Sequence, residues 1–116
     1  MLRIDNQDIS LTRGDTAYLQ FIPQVEGENH KRIDYVLNDG DTVIFRLKST
    51  KSIFEKDCVI DLTENTAILV LVPDDTINLD FATYYYEVEL VTIYGEHFTF
   101  IANKRFTIGK EIEPHG

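Results

Sequence analysis

The segment that most constrains the fold of this chain is residues 80–90, which read Asp-Phe-Ala-Thr-Tyr-Tyr-Tyr-Glu-Val-Glu-Leu. From Tyr84 onward every second position is apolar, and this period of two indicates a strand with one buried face. A tyrosine near the start of such a strand can bury its ring and return its hydroxyl to upstream backbone, which closes one end of a β-sandwich. We therefore predict a structural corner built by Asp80, Ala82 and Tyr84.

Period-two alternation recurs along the rest of the chain, whereas sustained helical periodicity does not. Turns rich in Gly, Asn, Asp and Pro separate the alternating segments, and Pro73 introduces one helical turn within residues 74–81. The predicted strands are residues 8–12, 15–22, 41–48, 57–62, 66–72, 83–93, 96–101 and 104–108, with a weaker strand at 32–36. This pattern predicts an all-β fold, an antiparallel immunoglobulin-like β-sandwich of about seven to nine strands with at most one short helical turn.

The alternation also predicts which side chains face the core and which face water. Gln20, Arg46, Lys48, Glu87 and Glu89 are expected to face water. The residues expected to face inward are Ala17, Leu19, Phe21, Val43, Phe45, Leu47, Tyr84, Tyr86, Val88 and Leu90.

Residues 67–72 form a hydrophobic run, Ala-Ile-Leu-Val-Leu-Val, without a polar face. Such a run is either a central strand covered on both sides or an assembly surface. Tyr18, Tyr85 and Tyr94 are expected to be exposed, and they suit either cross-strand pairing or a binding platform for a sugar or a protein. The candidate interface therefore comprises Ile68, Val70, Val72, Tyr18, Tyr85 and Tyr94.

The chain has 116 residues, of which 43% are hydrophobic and 27% charged, as in ordinary globular domains. We expect a single domain over residues 1–110 and a flexible C-terminal tail at 111–116. The net charge of −9 repels nucleic-acid phosphates and anionic lipids, so neither nucleic acid nor a membrane surface is an expected partner.

One cysteine cannot form an internal disulfide, and Cys58 shares a predicted strand face with Ile60 and Leu62. It is interpreted as a small buried hydrophobic residue, and no histidine base near it in sequence supports a nucleophile. A disulfide-free sandwich fits a reducing cytoplasm or a bacterial or viral origin, and residues 1–13 lack a signal-peptide pattern, so we expect the chain to be made in a bacterial cytoplasm.

Candidate chemical sites are weak. Arg13-Gly14-Asp15 matches a tripeptide read by some cell-surface receptors, but it also suits a tight turn. Aspartates could ring a calcium ion as Asp15, Asp39 and Asp41, or as Asp74, Asp75 and Asp80, at spacings that turns also produce. His30, His97 and His115 complete no zinc pattern, and no serine elbow, P-loop or dinucleotide motif is present. We predict no catalytic residues, no metal and no cofactor.

The order of motifs along the chain resembles small structural proteins of tailed phages and Gram-positive prophages, in particular the N-terminal immunoglobulin-like domain of baseplate upper proteins. The likeness spans residues 8–110. Its motifs are residues 9–15, 40–48, 73–76, 84–90, 95–99 and 105–108.

This resemblance implies a non-catalytic virion structural protein that acts through protein–protein contacts in a multi-copy assembly, with copies of itself or other virion proteins as partners. A homo-oligomer located in the virion is then expected. The alternative is a free-standing immunoglobulin-like binding module for glycans or cell-surface ligands, with loops at one end of the sandwich as its site.

Overall fold

The computed structural model describes residues 2–50 and 52–110. In them the chain forms eleven β-strands, one four-residue α-helix and a 3-10 turn at Glu28–His30. The elements are β1 (Leu2–Asp5), β2 (Asp8–Thr12), β3 (Ala17–Phe21), β4 (Gln24–Glu26), β5 (Arg32–Asp34), β6 (Thr42–Lys48), β7 (Ser52–Asp57), β8 (Val59–Asp61), β9 (Thr66–Leu71), α1 (Pro73–Thr76), β10 (Ala82–Val91) and β11 (His97–Gly109). The predicted all-β class is confirmed.

Two sheets carry most of the structure. The larger has six strands in the order β1-β2-β11-β10-β6-β7, and the smaller has three in the order β3-β9-β8, while β4 and β5 form a separate hairpin. All described pairings are antiparallel except β11 with β2, which run parallel from Phe106 opposite Ile9 to Gly109 opposite Thr12. This pair departs from the predicted antiparallel arrangement, because β2 and β11 are far apart in sequence and no hairpin turn dictates their direction.

The inner faces of the two sheets share one hydrophobic core. Every residue that the alternation assigned inward is buried, from Ala17 in β3 to Leu90 in β10. Aromatic rings fill its centre: the ring of Phe45 lies 5.4 Å from that of Tyr86 in a stacked arrangement and 5.7 Å from that of Phe106 edge-on. Such ring pairs stabilise a core beyond the area they bury.

Several predicted strands differ from the observed ones. The predicted strands 96–101 and 104–108 are joined in one strand, β11 (His97–Gly109), which carries a bulge with Asn103 at φ +58° and shifted register against β10. At a bulge the pairing of two strands continues past one extra residue. The extra residue interrupts the alternation of the sequence, so the pattern predicted two strands. Strands β1, β4 and β7 were not predicted, so the count exceeds the expected range.

The predicted strand 57–62 is shortened to β8, Val59–Asp61. Cys58 is buried and its amide donates to the carbonyl of Val43 at 2.8 Å, whereas Leu62 lies in the turn after β8 and is exposed. Leu62 therefore does not share the inward face of Cys58 as expected. The predicted tail at 111–116 lies outside the described residues.

Candidate interaction surfaces

The outer face of the three-stranded sheet carries a group of apolar side chains that is open to solvent, beside the exposed polar Gln20. In the register of this sheet Tyr18 lies opposite Val70, and Val59 lies opposite Ile68. Tyr18 is 67% exposed, Val59 61% and Val72 40%, while Ile68 and Val70 are half-buried. We call these five residues, Tyr18, Val59, Ile68, Val70 and Val72, the apolar face.

The sequence left open whether the hydrophobic run 67–72 is covered on both sides or forms an assembly surface, and the structure shows which sides are covered. β9 is the central strand of its sheet, with Ala67, Leu69 and Leu71 in the core. Its other side carries apolar side chains whose cross-strand neighbours Tyr18 and Val59 are mostly exposed. The run is thus covered on one side, and the second side is available for contact.

Strand β3 forms one edge of this sheet and reads Ala-Tyr-Leu-Gln-Phe. The other edge strands of the two sheets all contain charged residues, namely Arg3 and Asp5 in β1, a Glu-Lys-Asp run in β7 and Asp61 in β8. Charge on an edge strand discourages pairing with other chains. Among the edges of the two described sheets, β3 is the one without such protection.

An open cleft of about 300 Å³ runs between this edge and the first strands of the large sheet. Leu19, Phe21 and Ile22 line it from the β3 side, and Ile4 and Ile9 line it from β1 and β2. Ile4 and Ile22 are more than half exposed. The unpaired side of β3 therefore faces this cleft, which carries no charged side chain in its lining, and no strand of the two described sheets pairs with β3 there.

The outer face of the large sheet differs sharply, because it carries charged residues that pair with one another. The guanidinium of Arg46 bonds Glu55 at 2.8 Å and Glu89 at 3.0 Å, and Lys48 pairs with Glu87. The hydrogen bond that Arg46 donates to Glu55 is the main cause that raises the pKa of Arg46. These residues face outward as predicted, but mutual pairing leaves them only partly exposed.

The predicted interface residues do not form one surface. Tyr85 lies on the outer face of the large sheet, opposite Lys48 on one side and Arg105 on the other. Tyr94, 79% exposed, lies in the turn between β10 and β11. Only Tyr18 joins Ile68, Val70 and Val72, because the inner faces of both sheets meet in one core and their outer faces point apart.

A second open cleft, of about 680 Å³, lies between the β4–β5 hairpin and β11. Basic or titratable groups that line it are His30, Arg32, His97 and Lys104, with Glu26 as the acidic member. Phe98 and Phe100 contribute aromatic rings, of which Phe98 is half-buried. His30 already contacts Glu26, and Arg32 donates to the carbonyl of Phe100.

The structural corner has the geometry expected from the sequence. The ring of Tyr84 is buried, and its hydroxyl donates to the carbonyl of Asp80 at 2.8 Å. α1 and the turn that follows it carry the chain from β9 in the small sheet to β10 in the large sheet just before this contact. Ala82 is the first residue of β10, opposite Ile108.

The Arg13-Gly14-Asp15 tripeptide is built into the same region. The guanidinium of Arg13 lies 4.0 Å from the ring centre of Phe81 and donates to the carbonyl of Leu79 at 3.4 Å. Gly14 has φ +84°, a conformation that favours glycine, and its amide donates to the Thr76 hydroxyl at 2.8 Å. The tripeptide serves as a turn held against the crossover.

The candidate calcium aspartates have structural contacts. The carboxylate of Asp41 is buried and accepts from the amides of Asn38 at 2.8 Å and Ile93 at 2.9 Å. Asp75 accepts from the amide of Val72 and from Lys56. Within residues 2–50 and 52–110, no three His, Cys, Asp or Glu side chains are grouped so that they could hold a metal ion.

Cys58 is the buried residue that the sequence predicted. Burial, with a smaller effect of the neighbouring Asp57 charge, raises the pKa of its thiol to about 12. The thiol therefore stays protonated at neutral pH, and the thiolate is the form that reacts.

Two further findings bear on function. No helix in the described part of the chain has the length and apolar character needed to cross a membrane. Comparison with protein-family models, with curated proteins and with solved structures found no match to this chain.

Sequence reasoning missed the unprotected β3 edge with the exposed Ile4 and Ile22 beside it, and it missed Val59 on the apolar face. A signal was present, because residues 16–25 contain no charged side chain in a chain of net charge −9. Which strand becomes an edge is set by pairings between distant segments, and this information is absent from local patterns.

Proposed function

We propose that this chain is a non-catalytic structural protein of a phage or prophage baseplate or tail, which acts through protein–protein contacts in a multi-copy assembly. The observation that carries the proposal is the apolar face, where Tyr18 and Val59 are more than 60% exposed. An exposed apolar patch on a β-sheet is typical of a protein-interaction surface. The phage assignment rests on the resemblance of the sequence motifs.

The immunoglobulin-like assignment belongs to the same proposal. Three strands, β3-β9-β8, oppose a sheet that contains β11-β10-β6-β7, and Tyr84, the third residue of β10, donates its hydroxyl to the upstream carbonyl of Asp80. A tyrosine corner near the start of a strand is typical of that sandwich family, and it supports this assignment. The predicted partners are copies of this chain and other virion proteins.

The test is incorporation into particles. We expect mass spectrometry of purified virions or tail particles from the source bacterium to detect the chain in several copies per particle. Tyr18→Lys and Val59→Lys place charges on the apolar face and should reduce incorporation at least about tenfold, since an unpaired charge buried in an interface is costly. Tyr94→Lys, at the exposed turn between β10 and β11 and outside the apolar face, is the matched control. Absence of the chain from the particles would contradict the proposal.

A second candidate function is glycan binding, favoured by the cleft that combines Phe98 with His30, Arg32, His97 and Lys104. Aromatic and hydrogen-bonding side chains together suit a sugar ring. A glycan array probed with the intact chain tests it. Binding that is lost in Phe98→Ala supports this function, and silence of the array opposes it.

A further inference from the structure

We propose that the β3 edge pairs with β3 of a second copy of this chain, in antiparallel register about a two-fold axis at Leu19. The two three-stranded sheets then become one continuous six-stranded sheet. This inference rests on the proposed function, for which it names the partner and the contact. Addition of a strand to an exposed sheet edge is an established mode of protein recognition.

The edge is accessible and unprotected. β3 pairs with β9 on one side, and its other side faces the cleft lined by Leu19, Phe21 and Ile22. Charged side chains at the edge strands β1, β7 and β8 discourage pairing with another chain, which leaves β3 as the favoured edge for such pairing. A strand added here would also cover the exposed Ile4 and Ile22, which flank the cleft.

The strand is complementary to itself. Residues directly opposite each other in an antiparallel pair share a face, and centring on Leu19 pairs all five residues of β3. Ala17 then lies opposite Phe21 of the second copy, small against large, and the two Leu19 residues face each other on the same side. On the outer side Tyr18 lies opposite Gln20, an aromatic ring beside an amide.

The absence of charge at the β3 edge favours a second copy of this chain as its partner. Each copy carries −9, so two copies repel each other over most of their surfaces. Residues 16–25 contain no charged side chain, and this segment allows approach without placing carboxylates opposite carboxylates. A basic partner would be drawn to the acidic surface elsewhere, whereas a neutral, self-complementary strand suits a neutral strand of the same sequence.

The register dictates a charge-pair experiment with two double variants. Tyr18→Lys combined with Gln20→Lys sets an ammonium group at position 18 of each copy opposite one at position 20 of the other, and the dimer dissociation constant should rise by about tenfold. Tyr18→Lys combined with Gln20→Glu sets the same ammonium group opposite a carboxylate, and the dimer should persist. Sedimentation velocity at micromolar to millimolar concentrations measures the mass against 13.4 kDa for one copy.

The net charges of the two double variants rule out overall repulsion as the cause of a weaker dimer. The lysine pair changes the charge of a copy from −9 to −7, which weakens overall repulsion, while the variant with one lysine and one glutamate stays at −9. A weaker dimer in the less charged variant can therefore come only from the local contact. Both native side chains are exposed, so both variants should keep the fold, and denaturant unfolding checks this.

Cysteine cross-linking tests the register independently. Tyr18→Cys and Gln20→Cys, mixed and oxidised, should form a disulfide between the two variants, because directly opposite Cα atoms lie within disulfide range. Either variant alone should cross-link far less. Native Cys58 does not interfere, since it is buried.

A monomer at all concentrations, a dimer that survives the lysine pair, or cross-links that ignore the register would each overturn the proposed contact. Such a chain could still be found in virions by the incorporation test, so failure of this inference and failure of the proposed function are separate results. A dimer weakened by the lysine pair, kept by the lysine and glutamate pair and cross-linked between positions 18 and 20 supports it.

Discussion

Tyr84 connects the crossover to the large sheet through one hydrogen bond. Its buried ring packs in the core, while the hydroxyl reaches the carbonyl of Asp80 at 2.8 Å. Tyr84→Phe keeps the ring and removes the donor, so the free energy of unfolding should fall by about 0.5 to 3 kcal/mol, the upper end if the carbonyl stays unpaired. Urea denaturation measures this, with the exposed neighbour Tyr85→Phe as control. An unchanged midpoint would show that the hydrogen bond contributes nothing.

The Tyr86 hydroxyl makes the free energy of unfolding depend on pH in the alkaline range. Burial, helped by the charge of Asp8, raises its pKa from 10.0 to about 12. Between these values the unfolded chain releases the proton and the folded chain keeps it, so this contribution is complete below pH 10 and is lost as pH rises towards 12. The loss is about 1.4 kcal/mol per pH unit.

Tyr86→Phe removes this titration. The unfolding free energy of the variant should fall less steeply than that of the wild type above pH 10, and urea denaturation at closely spaced pH values compares the slopes. Tyr94→Phe, at the exposed turn, is the matched control. Equal slopes for Tyr86→Phe and the wild type would contradict the assignment.

At the scale of elements, Asp41 joins two turns at one end of the sandwich. Its carboxylate accepts from the amide of Asn38, before β6, and from the amide of Ile93, in the turn between β10 and β11. Asp41→Ala leaves two amides without this partner and should cost about 1 to 3 kcal/mol. The exposed Asp39→Ala in the same turn tests loss of charge alone and should change stability by less than about 0.5 kcal/mol. Equal losses of stability in Asp41→Ala and Asp39→Ala would show that loss of charge, and not loss of the two hydrogen bonds, causes the effect.

At the scale of the whole molecule, the net charge makes the proposed dimerisation depend on ionic strength. Two copies that meet at an uncharged edge still repel through their remaining acidic surface, with −9 on each. Raising the ionic strength from about 0.01 M to about 0.1 M shortens the Debye length from about 30 Å to about 10 Å, so dimerisation through β3 should strengthen with salt. Sedimentation equilibrium at both ionic strengths measures this. Weakening with salt would indicate a contact made by opposite charges.

The sequence predicted the residues of the core better than the elements that carry them. Alternation placed Phe45, Tyr86 and Val88 inward because burial on one face of a strand has a period of two wherever the strand lies. The alternation did not predict β7, because the Glu-Lys-Asp run of this strand has no continuous apolar face. This edge strand contributes mainly Phe54 to the core. The bulge at Asn103 was also missed, because it shifts the register within one continuous strand.

The candidate site was predictable only in part. Ile68, Val70 and Val72 were identified from a hydrophobic run without a polar face and Tyr18 from its expected exposure, and the structure brings these four residues together on one face. Tyr85 and Tyr94 were grouped with them on exposure alone. The structure separates them, since a strand pattern assigns a side chain to a face but not to a particular sheet.

Composition and alternation by themselves determined an all-β chain with a tyrosine corner, a buried cysteine and an inward set of apolar residues, because these depend on local backbone geometry and on burial of one face. Only the tertiary structure decided that β3 is an edge, that β2 runs parallel to β11, and that the apolar outer side of β9 stays open. These outcomes depend on which distant strands pair. Backbone hydrogen bonds are nearly the same for any partner strand, so the choice is made by the packing of the whole core.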